Sequence, residues 1–498
     1  MSTSWNREYR RAVVVGGGIN GLSAATFLAR AGWQVQVFEQ AARVGGAARS
    51  AAVFGADTIV DLGAAAHPFG AVSPAFSALG LEEFGLEFVH SDYPLAHPLP
   101  GRPAALLHRS LEATAAALGV DKRGWYQLHR HLVAHLDAHL ANALSPLMVP
   151  PLQPAALLRF APIALPSATT VGHLCFREQP AKALLAGNAV HAIAPPSQPL
   201  TAAFGTLFAA IGMTHGWPVA KGGSQSIVDA LTRAAVAAGV KIHTNAHVSD
   251  VHELPEHEAL ILNLAPARIV RLAGVELSGR ARRQLKRWRS GPGVYKVDYL
   301  LSQAPPWRDP RVGQATTVHV CGTAADIDIA ERQVRAGRMP RRPFVMLCQQ
   351  QVADPGRAQR GFILWAYAHV PHNYQERYPG EVAELIEQQI ERFAPGFRDT
   401  IVTRNLVSPQ QLQALNPNLI GGDIAVGAMS GSQVLFRPGI RANPYRIGPR
   451  TYLASAAAPP GAGVHGMVGA HVAHSILRTI GGADATATRP LRRDDAVS

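Results

Sequence analysis

Apolar residues recur along this chain in two rhythms. Ala12–Val15 is a short unbroken apolar run, the pattern of a central parallel strand covered on both faces. A helical spacing over about residues 19–31 follows, and then "QVQVF" (34–38) reads as a second strand. Further on, residues 218–251 read as glycine turn, amphipathic helix and strand, with Ile227, Leu231, Ala234 and Val236 at helical spacing. "HEALILNLAP" (257–266) looks like another core strand, and residues 450–477 like strand, glycine-rich turn and helix. "GPGVYKVDY" (291–299) is strand-like, as is "LWAYAHVP" (364–371), whose alternation puts Trp365, Tyr367 and His369 on one face. "PLTAAFGTLFAAIGM" (199–213) is apolar all round but too short to cross a bilayer, so it reads as a buried helix. Prolines break residues 144–167 into short helices, suited to an apolar pocket, to one leaflet of a membrane, or to ordinary helical core. Residues 481–498 are polar and read as a disordered tail.

The first strand–helix–strand unit carries a motif. Gly16, Gly18 and Gly21 form GxGxxG between strand and helix. The first glycine permits a tight turn, the second lets backbone approach a pyrophosphate, and the third lets helix pack on strand. The helix N-terminus offers unpaired N–H groups and its dipole to phosphate. Glu39 ends the second strand, about 20 residues on, where a carboxylate accepts hydrogen bonds from ribose hydroxyls and disfavours a 2′-phosphate. This is a dinucleotide site. "RVGGAARS" (43–50) then places Arg43, Gly45 and Gly46 behind the acid, and no second GxGxxG follows, so a separate NAD domain is not expected.

Composition narrows the class. With 498 residues, 47% hydrophobic and 16% charged, the chain has enough core for several domains. A net charge of +13 comes mostly from arginine, but no basic–aromatic module accompanies it, so nucleic-acid binding is not expected. Cys175, Cys321 and Cys348 form no CxxC and no disulfide framework, which suits a reducing, cytoplasmic setting, with peripheral contact at a membrane surface left open. No run of apolar residues is long enough to span a bilayer.

Together "RVGGAARS", "VDLGAAAHP" (60–68) and the closing glycine-rich unit resemble the FAD motifs of the amine-oxidase and phytoene-desaturase superfamily. "DLGAAAHP", "GPGVYKVDYLLSQAPPW", "FILWAYAHVP" and "NPNLIGGD" resemble its phytoene-desaturase-like members, within the branch named after a pyridine nucleotide-disulphide oxidoreductase domain. The resemblance implies an α/β fold: a Rossmann-type FAD-binding domain (1–70, 217–275 and 436–480) interleaved with an α+β substrate domain (71–216 and 276–435). It implies FAD contacts from Gly16, Gly18, Asn20, Gly21, Glu39 and Gln40, and from Arg43, Gly45, Gly46 and Ala47. Val248 is expected near the adenine, and Gly461, Gly463, Gly466 and Met467 at the flavin end.

Lys296 is one of six lysines among 47 basic residues, yet it sits inside an apolar strand. In amine oxidases a comparable strand carries a lysine that holds a water near the flavin, and Lys296 stands in that position. A structural role remains open, because strand alternation puts Asp298 on the same face as an ion-pair partner. Two departures set the chain apart from amine oxidases: Ala457 where many carry an acid, and Gly466 near the place of their cage tyrosine. His67 and His465 lie in motifs that approach the flavin in relatives and are candidate acids or bases. Trp365, Tyr367 and His369 are candidate substrate-pocket residues. His131, His135 and His139 form an i, i+4, i+8 stripe that reads as a solvated histidine face rather than a metal site.

The expected function is an FAD-dependent oxidoreductase that removes hydride from a hydrophobic organic substrate, reoxidised by O2 or a quinone-like acceptor. A redox-neutral isomerase or saturase acting on a carotenoid- or retinoid-like lipid, or a non-catalytic lipid-binding escort, are the alternatives on the same scaffold.

Overall fold

The computed structural model describes residues 10–146 and 151–480. The tail expected at 481–498, and residues 147–150 of the proline-rich stretch, lie outside them.

Five parallel strands form one sheet, in the order Thr451–Leu453, Ala259–Leu262, Arg11–Val15, Gln34–Phe38, Lys241–His243. Its central strands are buried on both faces, which is why they read as unbroken apolar runs. Helix Ile19–Arg30 packs on it beside the closing helix Met467–Ile480. Helix Gln225–Ala237 buries Ile227, Leu231 and Ala234, but Val236 is 58% exposed. Val236 shared the helical spacing without sharing the buried face.

A second sheet has seven strands, in the order Ile401–Val407, Gly293–Leu301, Phe362–Val370, Val345–Cys348, Ala315–Val320, Tyr93–Leu99, Arg102–Leu107. All its pairs are antiparallel except Ala315–Val320 with Tyr93–Leu99. Alternation divides its two faces. Tyr295, Val297 and Tyr299 join Leu364, Ala366 and Ala368 in a core beneath helix Glu381–Glu391. Val294, Met346, Trp365 and Tyr367 point the other way, toward a cavity.

Buried charge links the elements around the second glycine motif. Arg357 bridges Asp61 at 2.9 Å and Asp354 at 2.7 Å, and its remaining arm donates to Ala220 O. Asp61 also accepts from Ser50 Oγ and from Ser224 N, and these cations and donors outweigh burial to hold its carboxyl below the usual range.

The helix of residues 199–213 is buried as expected, over Thr201–Thr214. No single helix among the described residues is long and apolar enough to cross a membrane; the bent pair Pro154–Ala164 and Ala168–Cys175 passes by length and composition, and Leu158, Leu165 and Leu174 are exposed on or beside it. The histidine stripe does not form one solvated face. The helix breaks at His135, between Lys122–Ala134 and Leu136–Ala143, and His139 is buried, 3.3 Å from His131 Nδ1.

Candidate active site

The glycine turn is built by close contact. Gly16 has φ +101°, and a Cβ there would lie 2.8 Å from Asn263 O. A Cβ at Gly21 would lie 2.2 Å from Gly16 O, so this third glycine serves helix-to-strand packing. The second glycine motif folds onto the first: Gly45 N donates to Gly17 O at 2.9 Å. Glu39 is set by two backbone donors, Gly17 N at 2.8 Å and Ala41 N at 2.9 Å. Helix Ile19–Arg30 carries no acidic residue in its first turn, leaving its N-terminal N–H groups for an anion. These residues fit a dinucleotide: a cradle that side chains would fill, an oriented carboxylate, and an open helix start.

A cavity of about 440 Å³ opens from this cradle. Asn20, Gln40, Arg43, Ala47, Val248 and Gly463 border it, with Gly16, Gly18, Glu39, Gly45 and Gly46. It continues to an apolar wall of Phe204, Phe208, Trp217, Met346, Trp365 and Tyr367. Beneath it runs a transverse row of the seven-stranded sheet, Val407–Lys296–Tyr367–Met346–His319, one residue per strand, of which Lys296, Tyr367 and Met346 border the cavity.

Lys296 borders the cavity where the cradle meets the wall. It is 2% exposed on an interior strand, not an edge, and its Nζ donates to Asp298 Oδ1 while lying 5.8 Å from the centre of the Trp365 ring. One side chain thus both borders the cavity and forms the ion pair with Asp298. Burial pushes the Asp298 carboxyl up, against Lys296 and an Asn405 amide at 3.1 Å.

His67 also borders the cavity and is fully buried. Ser224 Oγ donates to Ala64 O at 2.6 Å, so it accepts from His67 Nε2–H at 2.9 Å. His67 Nδ1 keeps a lone pair with no partner. Burial depresses this imidazole to about 4, with Asp61 opposing and Arg357 adding. It is neutral, with Nδ1 a free hydrogen-bond acceptor but only a weak base.

Several expected residues lie off the cavity wall. His369 is 1% exposed, with Nδ1 donating to Glu331 at 2.9 Å; it sits two residues beyond Tyr367 on the same face and does not border the cavity. His465 Nδ1 accepts from Met467 N at 3.1 Å, capping the closing helix, so it is structural rather than a candidate acid. Gly466, at φ +66°, would place a Cβ 2.4 Å from Ser23 Oγ; it allows two helices to approach. Gly21, Gly461 and Met467 likewise stand behind the wall. Sequence reasoning passed over Asn263, Arg268, Asn416, Asn418 and His191, which do border the cavity. The stretch "NPNLIGGD" signalled two of them: Asn418 Oδ1 accepts from Ala265 N at 2.8 Å, carrying that loop across to the parallel sheet. His191 lay in a run without a motif.

The model of the flavin containing amine oxidoreductases matches residues 19–267, half of the chain. The rat pyridine nucleotide-disulfide oxidoreductase domain-containing protein 2 is 25% identical, over 94% of this chain and 93% of its own length. Among solved structures, an oxidoreductase from Methanosarcina mazei superposes with TM-score 0.59 at 16% identity, covering 94% of this chain and all of that one. Cyclohexylamine oxidase from Brevibacterium oxydans gives 0.54 at 15% identity, over 94% and 99%, so both share the fold. With the FAD cradle and the parallel sheet in place, the chain belongs to the flavin containing amine oxidoreductase family and is an FAD-dependent oxidoreductase.

Proposed function

We propose that this enzyme removes hydride from a neutral, hydrophobic organic substrate, with O2 or a quinone-like molecule as terminal acceptor. One observation carries the reading: the cavity runs unbroken from the glycine cradle to an aromatic wall, and among the described residues the sole carboxylate bordering it, Glu39, lies at the cradle. An ammonium substrate would have no counter-ion at the apolar end, and burying an unpaired charge is costly.

FAD, when bound, supplies the two-electron acceptor. The chain's residues supply the rest. Trp365, Tyr367 and Phe208 exclude water and orient an apolar body. Lys296, fixed by Asp298, places a hydrogen-bond donor beside the cradle, where it can hold a water or O2. His67 Nδ1 offers a hydrogen-bond acceptor to substrate or water. The exposed leucines at 158, 165 and 174 support a peripheral contact with a bilayer, which vesicle flotation tests.

Anaerobic mixing of the FAD-loaded protein with lipids, retinoids, steroids and amines tests the reading. Bleaching by neutral apolar compounds is expected, and bleaching by amines alone would overturn it. Readmission of O2 or a quinone then identifies the acceptor. A purified protein that is colourless and filled with lipid would favour the escort alternative.

A further inference from the structure

The far end of the cavity holds a histidine that the reaction above does not use. His191 borders the cavity, its ring stacked on Phe208 at 4.8 Å and edge-on to Trp217 at 4.9 Å. Its Nε2 lies 3.0 Å from Nε2 of His319, which is wholly buried. Burial depresses His191 to about 3 and His319 well below its usual value, so both rings are neutral and each carries one proton.

The packing decides where those protons sit. His319 Nδ1 is buried without a partner. A proton there would be a buried N–H with no acceptor, and orphaned donors are rarer than orphaned acceptors. The proton of His319 is therefore on Nε2, donated to His191 Nε2. The proton of His191 is then on Nδ1, which no atom of the described residues receives. Gly187 makes the arrangement possible: a Cβ there would lie 2.6 Å from His319 Nδ1 and 3.2 Å from His97 Nδ1. His97, which donates from Nε2 to Gly322 O at 2.7 Å, closes the layer behind.

We propose that His191 Nδ1–H is the donor that receives a neutral oxygen, a carbonyl or hydroxyl, carried by an otherwise apolar substrate. The inference rests on the hydrophobic-substrate reading and names the polar group of that substrate. A carboxylate would face an uncharged donor with no cation beside it, and an ammonium would find no acceptor. A hydrocarbon would leave the N–H unpaired. His319 stands three strands from Lys296 along the transverse row, roughly 14 Å at ordinary strand spacing. The contact therefore positions the substrate from the end remote from Lys296 and leaves the bond-breaking step to other groups.

The test is calorimetric titration of the FAD-loaded protein with 2-decanone, 1-decanol, decane, decylammonium and decanoate. The ketone and alcohol should bind about fivefold or more tighter than decane and the two ions. His191→Phe keeps an aromatic ring but removes the donor, together with the acceptor for His319 Nε2–H, and should abolish that preference in protein that still binds FAD. His191→Asn, which restores an N–H, should recover part of it. An unchanged preference in His191→Phe would overturn the assignment. Preference for decylammonium or decanoate would overturn it too, while leaving the cavity and FAD site standing. Binding of no probe by a flavin-loaded protein would overturn the hydrophobic-substrate reading itself.

Discussion

Lys296 and Asp298 are partners on one strand, two residues apart on the cavity face, and only the lysine reaches the cavity. Removing one member of a buried pair strands the other. Lys296→Met should leave FAD bound, slow flavin reduction or reoxidation at least tenfold, and cost about 3 kcal/mol of stability. Lys296→Met/Asp298→Asn should recover most of the stability but not the rate. Stopped-flow traces and denaturant titrations separate the two effects, and unchanged kinetics in the single variant would take the lysine out of the mechanism.

Glu39 is aimed by two backbone N–H groups, so its loss acts on the turn as well as on the ribose site. Glu39→Ala should lower FAD affinity by about two orders of magnitude, consistent with losing two charge-assisted hydrogen bonds at roughly 1.5 kcal/mol each. Flavin fluorescence quenching on reconstitution measures it.

Buried neutral histidines make stability depend on acid. His67, His97 and His129 are each depressed to about 4 by burial. The unfolded chain therefore binds more protons than the folded one between pH 4 and about 6.5. Stability is full above that window and falls as pH drops through it. Each group contributes a slope of about 1.4 kcal/mol per pH unit. His67→Gln should flatten the curve by that amount, as read from unfolding free energies between pH 4.5 and 7.5.

Arg357 is 1% exposed and holds two carboxylates. Arg357→Met should destabilise the protein by about 3–5 kcal/mol, because Asp61 and Asp354 are left buried without their cation. Thermal unfolding followed by flavin release would show both transitions moving together.

The parallel sheet was legible because its signals are local. A four-residue apolar run, three glycines and one acid all lie within thirty residues of chain. The strand bearing Lys296 was legible by alternation, and so was its ion pair. The cavity's depth was not. Alternation put His369 with Trp365 and Tyr367 correctly on one face, but how far the cavity extends along that face depends on the helices above it. His465 sat in a glycine-rich turn, where the chain's own helix N-terminus claimed its nitrogen. His191 was invisible because its meaning comes from His319, more than a hundred residues away, whose ring fits only because Gly187 carries no side chain. Pairings of that kind leave no periodic trace.

The parallel sheet has a consequence for how the protein is made. Its strand Ala259–Leu262 is covered on one side by Arg11–Val15 and on the other by Thr451–Leu453, nearly two hundred residues further on. During synthesis, at roughly 5–20 residues per second, that apolar edge is open for about ten seconds or more before its neighbour emerges. Until then the closing helix cannot pack against Ile19–Arg30, and the glycine cradle is only half walled. Flavin capture is thus a late event in the life of the nascent chain, and the open edge is where a chaperone would have most to protect.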